Sequence, residues 1–451
     1  MEIVIVGDGK VGYTLAEQLS QENHNITVID NDPEALSRVT DFLDVIGVEG
    51  NGASYDVQKE AGVAEADLLI AATSSDEVNM ICCLIARKLG ARHTIARIRN
   101  PEYSRQLYIL KEELAMSMVI NPEHAAAVEI SRLISFPSAI NTGSFAKGMV
   151  DVVELKIDVN NPLDGKSLAQ INKENKVNVL ICAVERDNKL IIPDGNFVLH
   201  VGDHIYICGD NKKIARFIHS SGIASHRIRS VMIIGAGKIS YYLSKILVEM
   251  GIHVQIIERD PHRCEIISDN FPHVLVIEGD GSEQNLLDAE GIDSVDAFVA
   301  LTNIDEENLL IAMYAAKKGV PKVITKLNRL NYLDIIKETG IDSVISPKYI
   351  TAYQIVQYVR AMENAVGSQV KTLYRIAEGQ AEIVEFLATN NTLHLGEKLR
   401  DIKTRPDVLI TAIVRDRQLV IPTGNDHIEE NDSVVIITTK KMFNDLNNIF
   451  I

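Results

Sequence analysis

The sequence lacks the features that would place the protein in a membrane or outside the cell. No uninterrupted apolar run approaches the roughly 18 residues that a membrane-spanning helix needs. An apolar strand is predicted at the first residues, so no secretory signal peptide is expected. The five cysteines show no CxxC spacing, which favours buried, reduced thiols over a disulfide framework. Together these absences predict a cytoplasmic protein.

Motifs of common catalytic and metal sites are missing too. The chain has no HExxH zinc motif, no GxSxG nucleophile turn and no complete Walker-type phosphate loop. The segment Gly165-Lys166-Ser167 lacks the upstream glycine of such a loop and is predicted to start a helix. His200 and His204 are four residues apart, but a turn is predicted between them, so no metal site is expected there. We therefore predict neither a catalytic residue nor a metal ligand.

A basic excess is also absent. Lys and Arg number 45 against 62 Asp and Glu, which gives a formal net charge of −17. Such a chain is repelled by nucleic-acid phosphates and by anionic lipid headgroups. Nucleic acid is therefore not expected as a partner, and work at a membrane would require a protein partner there. With 451 residues, of which 46% are apolar, two to four domains with well-formed cores are expected.

What the chain does contain is one pattern twice, at an offset of 228 or 229 residues. Each copy opens with an apolar strand and a glycine-rich turn, and the match continues far beyond the glycines. One such turn is weak evidence, but two turns in matching frames are strong evidence for a duplicated nucleotide-binding module. The matching segments are 7–12 with 235–240, 30–33 with 258–261, 49–52 with 278–281, 73–79 with 302–308, and 193–196 with 422–425.

Alternation of short apolar runs with helix-period segments predicts an α/β fold with a Rossmann-like, doubly wound parallel sheet in each copy. The strands expected in the first copy are 2–6, 26–29, 44–48, 67–72, 93–97 and 118–120, and the helices are 11–22, 33–41, 54–61, 77–89 and 104–114. A connecting helix follows each sheet, at 123–135 and at 348–362.

A small α+β domain is predicted after each connector. In the first copy its strands are expected at 150–157, 177–185, 189–192 and 204–208, and its last helix at 211–220. We expect the second copy to repeat all of these elements. The predicted boundaries of sheet domain, connector and small domain are 1–121, 122–140 and 141–221 in the first copy, and 228–346, 347–366 and 367–451 in the second.

The turn of the first copy has the residues that a pyrophosphate needs. Gly7 permits the tight turn, Gly9 lets the backbone approach the phosphates, and Gly12 lets helix and strand pack closely. Backbone N–H groups at the helix start then point at the phosphates. Asp30 follows Gly12 by 18 residues at the end of the second strand, where a carboxylate hydrogen-bonds ribose hydroxyls. The alternative is a glycine-rich turn without a ligand.

The second copy departs from this pattern at three positions. Ser240 replaces the third glycine and is expected to crowd the helix–strand contact slightly without blocking a phosphate. Glu258 replaces Asp30 and keeps the carboxylate, which argues against a 2′-phosphate and favours NAD-type or ATP-type ligands over NADP. Arg259 weakens that argument in the second copy, since it either faces a phosphate or is a solvated surface residue.

Further candidates follow the later strands. Asn51 and Asp280 lie within reach of an adenine edge, or they form ordinary Asx turns. Thr73-Ser74 and Thr302-Asn303 lie at the carboxyl edge of the sheet, where they cap the next helix and can also contact a ligand.

A cation is predicted at the end of the fifth strand in both copies. Arg97 ends this strand in the first copy, and Lys326 takes its place in the second. A cation here suits a terminal phosphate better than a plain surface role.

These motifs resemble the TrkA family, whose members regulate bacterial Trk potassium uptake from the cytosol with tandem RCK modules (regulator of potassium conductance), each with an N-lobe and a C-lobe. The resemblance covers essentially the whole chain. It is carried by segments 7–12, 50–52, 72–80 and 95–99 in the first copy, and by 235–240, 279–282 and 300–303 in the second. Family contacts to NAD or adenine nucleotides would correspond to Gly7, Asp8, Gly9, Lys10, Val11, Asp30, Thr73, Ser74 and Arg97, and in the second copy to Gly235, Ala236, Gly237, Lys238, Ile239 and Glu258.

The resemblance implies a non-catalytic subunit that binds NAD(H), or else ATP or ADP, and regulates an integral-membrane Trk-type potassium transporter at the inner face of the cell membrane. It also implies a homo-oligomer, either a dimer or a larger assembly such as a tetramer. In related proteins the C-lobes bind ligands such as cyclic di-AMP, but nothing in this sequence identifies residues for one.

Two other functions remain as alternatives. An NAD-dependent oxidoreductase would need an acid or base near the nicotinamide and a substrate pocket, and each sheet is followed only by a small domain. An RCK regulator of a different cation channel or antiporter has the same sequence features as the first hypothesis.

Overall fold

The computed structural model describes residues 1–104, 106–114, 116–175, 177–223, 227–329, 336, 339–363, 370–439 and 443–451. The chain forms two compact units. The first unit combines Met1–Ser131 with Arg229–Val356, and the second combines Arg132–Ile228 with Gln357–Ile451. Both sheet domains therefore belong to the first unit, and both small domains belong to the second.

The first sheet has six parallel strands in the order β3-β2-β1-β4-β5-β6. The six strands predicted for this copy are confirmed. The helix predicted at 104–114 is found as α6 at Leu107–Glu113, and the short helix before it, α5 at Pro101–Ser104, was not predicted; residue 105 lies outside the described residues. The elements are β1 Glu2–Val6, α1 Lys10–Ser20, β2 Asn25–Asp30, α2 Pro33–Phe42, β3 Ile46–Glu49, α3 Tyr55–Glu60, β4 Leu68–Ala71, α4 Asp76–Leu89, β5 His93–Arg97, α5 Pro101–Ser104, α6 Leu107–Glu113, β6 Met118–Ile120 and α7 Pro122–Ser135.

The second sheet repeats this arrangement with the parallel order β14-β13-β12-β15-β16-β17. The elements are β12 Ser230–Ile234, α10 Lys238–Glu249, β13 His253–Glu258, α11 Pro261–Asn270, β14 Leu275–Glu278, α12 Gln284–Ala289, β15 Ala297–Ala300, α13 Asp305–Lys317, β16 Lys322–Lys326, β17 Ser343–Ile345 and α14 Pro347–Glu363.

Local sequence explains how these elements begin. An Asp-Pro pair starts the helix after the second strand of each copy. The Asp32 side chain accepts hydrogen bonds from the N–H groups of Glu34 and Ala35, and Pro33 occupies the first helical position, where no N–H is needed. Asp260 caps α11 by accepting from the N–H of His262 alone, and Pro261 again occupies the first helical position. The strand order reverses beside β1 and beside β12, which is where open α/β sheets bind ligands.

The second unit contains two antiparallel sheets, in the orders β10-β9-β11-β8-β7 and β18-β19-β22-β20-β21. Hairpin turns at Asp187-Asn188 and Asp416-Arg417 have positive φ angles at both central residues, as a two-residue hairpin requires. The elements are β7 Thr142–Phe145, β8 Val150–Lys156, α8 Leu168–Asn175, β9 Leu180–Arg186, β10 Lys189–Ile191, β11 His204–Gly209, α9 Asn211–Ser220, β18 Val370–Ile376, β19 Ala381–Leu387, β20 Val408–Arg415, β21 Gln418–Val420 and β22 Ser433–Thr438.

The expectation that the second small domain repeats every element of the first is wrong. The segment that matches α8 contains only a short 3-10 turn at Leu399–Asp401, and another 3-10 turn at Leu446–Ile449 follows residues 440–442, which lie outside the described residues. Strand β7 was not predicted. The two small domains nevertheless share one core, in which Phe145 and Val152 of the first join Ile376 and Ile383 of the second.

Within the part of the chain that the structure describes, no helix is both long enough and apolar enough to cross a membrane.

Candidate nucleotide-binding sites

The first and third glycines of the first turn are required by packing. Gly7 has a φ of +97°, and its N–H donates to the Ile29 carbonyl oxygen at 2.8 Å. An ideal Cβ on Gly7 would lie 3.0 Å from backbone atoms of Thr73. A Cβ on Gly12 would lie 1.8 Å from the Gly7 carbonyl oxygen, closer than any real contact. These two glycines therefore hold α1 tightly against β1 and the loop after β4.

The second glycine has a different role in both copies. A Cβ on Gly9 or on Gly237 would meet no atom within 4 Å. Each of these glycines is the N-cap of the following helix, and neither supplies a capping side chain. The first N–H groups of a helix carry a partial positive charge and lack intrahelical partners. Both turns therefore leave an open, anion-favouring backbone surface beside the second glycine.

The acid at the end of the second strand fixes each turn. Asp30 accepts hydrogen bonds from the N–H of Asp8 at 2.5 Å and from the N–H of Asp32 at 2.9 Å. Glu258 likewise accepts from the N–H of Ala236 at 2.6 Å and from the N–H of Asp260 at 3.0 Å. Each carboxylate oxygen thus has one backbone partner and keeps a second lone pair for a ligand hydroxyl.

Asp8 is the buried group that the sequence argument missed. Only 5% of the residue is exposed, and neither side-chain oxygen has a hydrogen-bond partner among the described residues. Burial, and next the negative charge of Asp30, raise the pKa of Asp8 to about 7, while the charge of Arg38 opposes this shift. The second copy has a neutral Ala236 at the matching position. The sequence named Asp8 only as a member of the turn, because burial of its carboxyl depends on the fold.

The predicted crowding at Ser240 takes the form of a hydrogen bond. The residue is fully buried, and its hydroxyl donates to the Gly235 carbonyl oxygen. The Gly235 carbonyl oxygen is the counterpart of the Gly7 carbonyl oxygen, which is the atom nearest to a Cβ on Gly12. Arg263 lies on the same side, 3.4 Å from Asp260 and 4.0 Å from Glu258.

Arg259 is exposed, so the surface alternative describes its position. Its positive charge is one of the causes that lower the pKa of Asp280, after the hydrogen bonds that this carboxylate accepts from Ser282.

A buried asparagine joins the fourth and fifth strands in both copies. Asn79 accepts hydrogen bonds from the Thr73 N–H and hydroxyl at 2.8 and 2.7 Å, and donates to the Arg97 carbonyl oxygen at 2.9 Å. Asn308 makes the matching backbone bonds to Thr302 and Lys326. The sequence signal for this role was the recurrence of the asparagine at the same offset.

The remaining candidates, in the loops after β3 and β4, make local hydrogen bonds within the protein. Asn51 accepts from the Ala53 N–H at 2.9 Å and Asp280 accepts from the Ser282 N–H at 2.9 Å, so both form the Asx turns that were the alternative. Ser74 is exposed, and its carbonyl oxygen accepts a hydrogen bond from the Arg99 guanidinium. The prediction that Thr73-Ser74 and Thr302-Asn303 cap the next helices is wrong, because these helices begin only at Asp76 and Asp305. The cap of α4 is Ser75, whose hydroxyl accepts from the Val78 N–H at 3.2 Å, and Ile304 precedes α13 without a side-chain cap.

The cations that end the fifth strands are both largely buried. The Arg97 guanidinium lies 3.5 Å from the Glu123 carboxylate, and its Nε has no hydrogen-bond partner among the described residues. Lys326 is 7% exposed. Burial lowers the pKa of both groups below their ordinary values. Each cation is therefore held at a cost in solvation that a nearby anion would relieve.

Residues from both turns line one cavity of about 1320 Å³ within the first unit. Lys10 and Val11 of the first turn line it together with Ala236, Gly237, Lys238 and Ile239 of the second. Its acidic lining residues are Glu102 and Glu123, and its basic lining residues are Lys10, Arg97, Arg99, Lys238, Arg263, Lys326 and Lys348. In a chain of net charge −17, this concentration of basic residues marks a surface for an anion.

A buried tyrosine joins the two sheet domains beside this cavity. The Tyr242 hydroxyl, on α10, donates to the Arg99 carbonyl oxygen at 3.0 Å and accepts from the Asn121 side chain at 2.9 Å. Its ring packs edge-on against His124, with 5.3 Å between ring centroids. Asn121 directly precedes α7, so the second turn's helix is tied to the start of the first connector.

Comparison with known families gives a match along most of the chain. The TrkA-N domain model matches residues 3–122 and 231–347, and the TrkA-C domain model matches residues 152–221 and 383–451. The solved RCK domain of GsuK aligns with 98% of this chain and 92% of its own, at a TM-score of 0.64 and 20% identity. The GsuK channel bound to NAD aligns with 98% of this chain and 77% of its own, at a TM-score of 0.64 and 19% identity. These two likenesses establish the RCK fold.

Relatives of similar length share about a third of the residues. The Trk system potassium uptake protein TrkA homolog of Archaeoglobus fulgidus is 34% identical over 451 residues, which cover 100% of both chains. The Trk system potassium uptake protein TrkA of Vibrio alginolyticus is 33% identical over 458 residues, which cover 100% of this chain and 98% of its own. The chain therefore belongs to the TrkA family of Trk system potassium uptake proteins, with the N and C domains of that family present twice.

Proposed function

We propose that the protein is a regulatory subunit that controls a Trk-type potassium transporter according to the nucleotide bound at its two glycine-rich turns. The observation that carries the proposal is the open space beside Gly9 and Gly237. A Cβ on Gly7, Gly12 or Gly235 would meet backbone atoms, yet the two positions where a pyrophosphate would approach the backbone are free of protein atoms within 4 Å of such a Cβ. Membership of the TrkA family supplies the potassium transporter as the partner.

NAD or NADH is the ligand class that these residues favour, with ATP and ADP as the alternative. Asp30 and Glu258 would hold the ribose hydroxyls, since each keeps acceptor capacity beside its turn. A carboxylate at this position repels a 2′-phosphate, which disfavours NADP. Phosphates at the turns would face the basic residues of the cavity, among them Lys10 and Lys238. The likeness to a channel solved with NAD supports the same ligand class.

We further propose that the protein senses the bound nucleotide without transforming it chemically. Asp30 and Glu258 hold backbone N–H groups and are positioned as structural acceptors. Burial raises the pKa of Cys82 to about 12 and also raises that of Cys83, which disfavours thiolate chemistry there. The basic residues of the cavity would bind and orient the phosphates of the nucleotide.

The effect of nucleotide binding at the turns would be transmitted to the second unit through the connector helices α7 and α14. The start of α7 is tied to α10 through Tyr242 and Asn121, and the chain passes from the first unit to the second within α7 and within α14. A nucleotide that binds one arrangement of these elements more tightly shifts the population toward it. The coupling is reciprocal, so docking on the transporter should change the affinity for the nucleotide. The transporter also supplies the membrane attachment, and assembly as a homodimer or tetramer belongs to the proposal.

Calorimetric titration with NAD, NADH, ATP and ADP tests the binding sites. The variants are Gly9→Val and Gly237→Val, whose added atoms enter open space and therefore block the ligand without disturbing the fold. Each is expected to remove one binding event, with affinity at that turn falling at least about tenfold. The control is Gly195→Val, which lies in the second unit with only the Ala169 Cβ at 3.8 Å. Unchanged isotherms for both turn variants would refute the proposal.

A second titration tests regulation. Nucleotide affinity is measured with and without the purified transporter in a membrane, and a change of about fivefold or more is expected for an allosteric subunit. Equal affinities would contradict the regulatory role. Turnover of NAD with a panel of small substrates would instead establish the oxidoreductase alternative, and capture of a different cation channel or antiporter from the native membrane would redirect the partner.

A further inference from the structure

The side chain of Asp8 is an isolated buried carboxyl inside the first turn. It lies between Gly7, whose backbone must turn, and Gly9, whose open face would receive a phosphate. Its N–H donates to Asp30 at 2.5 Å, but its two side-chain oxygens have no hydrogen-bond partner among the described residues, and the residue is 95% buried. A buried ionised carboxylate without a partner is costly, so the neutral form is favoured.

Two charged groups act on this carboxyl. Asp30, at the end of β2, repels a second negative charge, and Arg38, on an exposed face of α2, attracts one. Burial is the largest of the three influences, and the pKa of Asp8 is raised to about 7. Asp8 therefore changes between its protonated and ionised forms near neutral pH.

The second copy provides a natural contrast. Ala236 takes the place of Asp8, while its N–H makes the same bond to the acid of the second strand, at 2.6 Å. The two turns therefore share their backbone hydrogen bonding but differ by one ionisable group. Arg263 adds a positive charge within 4.0 Å of Glu258 in the second copy.

We propose that Asp8 couples anion binding at the first site to uptake of one proton, and that it makes the first site discriminate against highly charged nucleotides where the second site does not. This inference depends on the proposed function, because it assumes that nucleotide phosphates bind over Gly9. A phosphate brought next to Asp8 adds negative charge, which favours the protonated carboxyl. The proton comes from solvent and returns to it when the nucleotide leaves.

The sign of the pH dependence follows from this coupling. At low pH, Asp8 is already neutral and the nucleotide binds without a proton penalty. As the pH rises through the range near 7, binding must draw a proton from solvent or tolerate two neighbouring negative charges. Affinity at the first site should therefore fall about tenfold between about pH 6 and about pH 8, whereas affinity at the second site should change less.

Calorimetry in two buffers of different ionisation enthalpy measures the proton directly. NAD is the probe because its pyrophosphate group does not titrate near neutral pH. The full chain carrying Gly237→Val isolates the first site, and the chain carrying Gly9→Val isolates the second. We expect about half a proton to be taken up per NAD at the first site near pH 7, and close to none at the second.

Two exchanges between the copies make the test specific. Asp8→Ala installs the residue of the second copy and is expected to abolish proton uptake while NAD still binds. Ala236→Asp in the Gly9→Val chain is expected to create proton uptake at the second site. The ratio of NAD to ATP affinity at the first site should fall about tenfold in Asp8→Ala, because the more highly charged ligand gains more.

The outcomes separate this inference from the proposed function. NAD binding at the first site without proton uptake, or with equal uptake in Asp8→Ala, would overturn the inference and leave the function standing. Absence of NAD and ATP binding at both sites would overturn the function and the inference together.

Discussion

The two sheet domains build the same turn with different residues, and the difference separates packing from chemistry. Gly12 in the first copy allows the closest approach of helix to strand, whereas Ser240 in the second replaces that contact with a hydrogen bond to Gly235. Both solutions leave the space beside the second glycine open. The backbone cradle is therefore retained in both copies, while the charges around it differ, as Asp8 and Ala236 show.

The small domains differ in a similar way. Arg360 of the second connector helix forms a fully buried ion pair with Glu382 at 2.8 Å, and Arg375 adds a contact to the same carboxylate at 3.1 Å. In the first copy, Arg132 and Asp151 take the matching positions. Burial raises the pKa of Asp151, and the positive charge of Arg132 is one of the influences that oppose this shift. In the second copy, one cation from the connector helix and one from β18 thus meet the same buried carboxylate of the small domain.

The largest effect is expected from breaking the buried pair of the second copy. Glu382→Ala leaves Arg360 and Arg375 without their carboxylate and should lower the free energy of unfolding by about 3–5 kcal/mol. Asp151→Ala in the first copy should cost less. Denaturant midpoints measured for the second unit check this, and equal losses for the two variants would contradict the difference between the copies.

The next effect is expected when the residues at the third glycine position of the turn are exchanged between the two copies. A Cβ on Gly12 would lie 1.8 Å from the Gly7 carbonyl oxygen, so Gly12→Ser forces α1 away from β1 and should destabilise the first sheet domain by about 1–3 kcal/mol. Ser240→Gly loses only one hydrogen bond and should cost about 1 kcal/mol. Thermal unfolding of both variants measures the comparison, and a larger loss for Ser240→Gly would reverse it.

A further effect, which depends on pH, is a gain in stability from Asp8→Ala. In the unfolded chain this group titrates near 3.8, and in the folded protein near about 7. As the pH rises between these values, the unfolded state loses its proton first, so the wild type loses stability and the penalty is complete above about pH 7. By this linkage the variant should be more stable than the wild type by up to about 4 kcal/mol at high pH, and about equal to it near pH 4. The same gain at both pH values would assign the effect to packing.

The parts of the structure that could be predicted from the sequence are those that depend on short-range patterns present in both copies. The glycine turns, the Asp-Pro helix starts and the six strands of the first sheet follow from short-range patterns. The recurrence of Asn79 at Asn308 was visible, but its role as a bridge between two strand ends needed the sheet order. Strand β7 contains Thr142 and Gly143 in a four-residue segment, which is too short for alternation to identify.

The raised pKa of Asp8 could not be predicted from the sequence, because it depends on burial in the fold and on the charges of Asp30 and Arg38, which β2 and α2 bring near it. The second small domain departed from the first for a related reason. Matching sequence frames predict matching strands, but the helical segments between them are set by packing, and Leu399–Asp401 forms a 3-10 turn where the first copy has α8. The charge of the shared cavity likewise comes from both copies and appears only when they are assembled in one unit.

The number of nucleotides held by one chain tests the central claim most directly. Native mass spectrometry of the purified protein with saturating NAD should show two nucleotides per chain, one in Gly9→Val, one in Gly237→Val and none in the double variant, and the released NAD should be chemically unchanged. Retention of both nucleotides by the double variant, or recovery of a converted cofactor, would contradict the account.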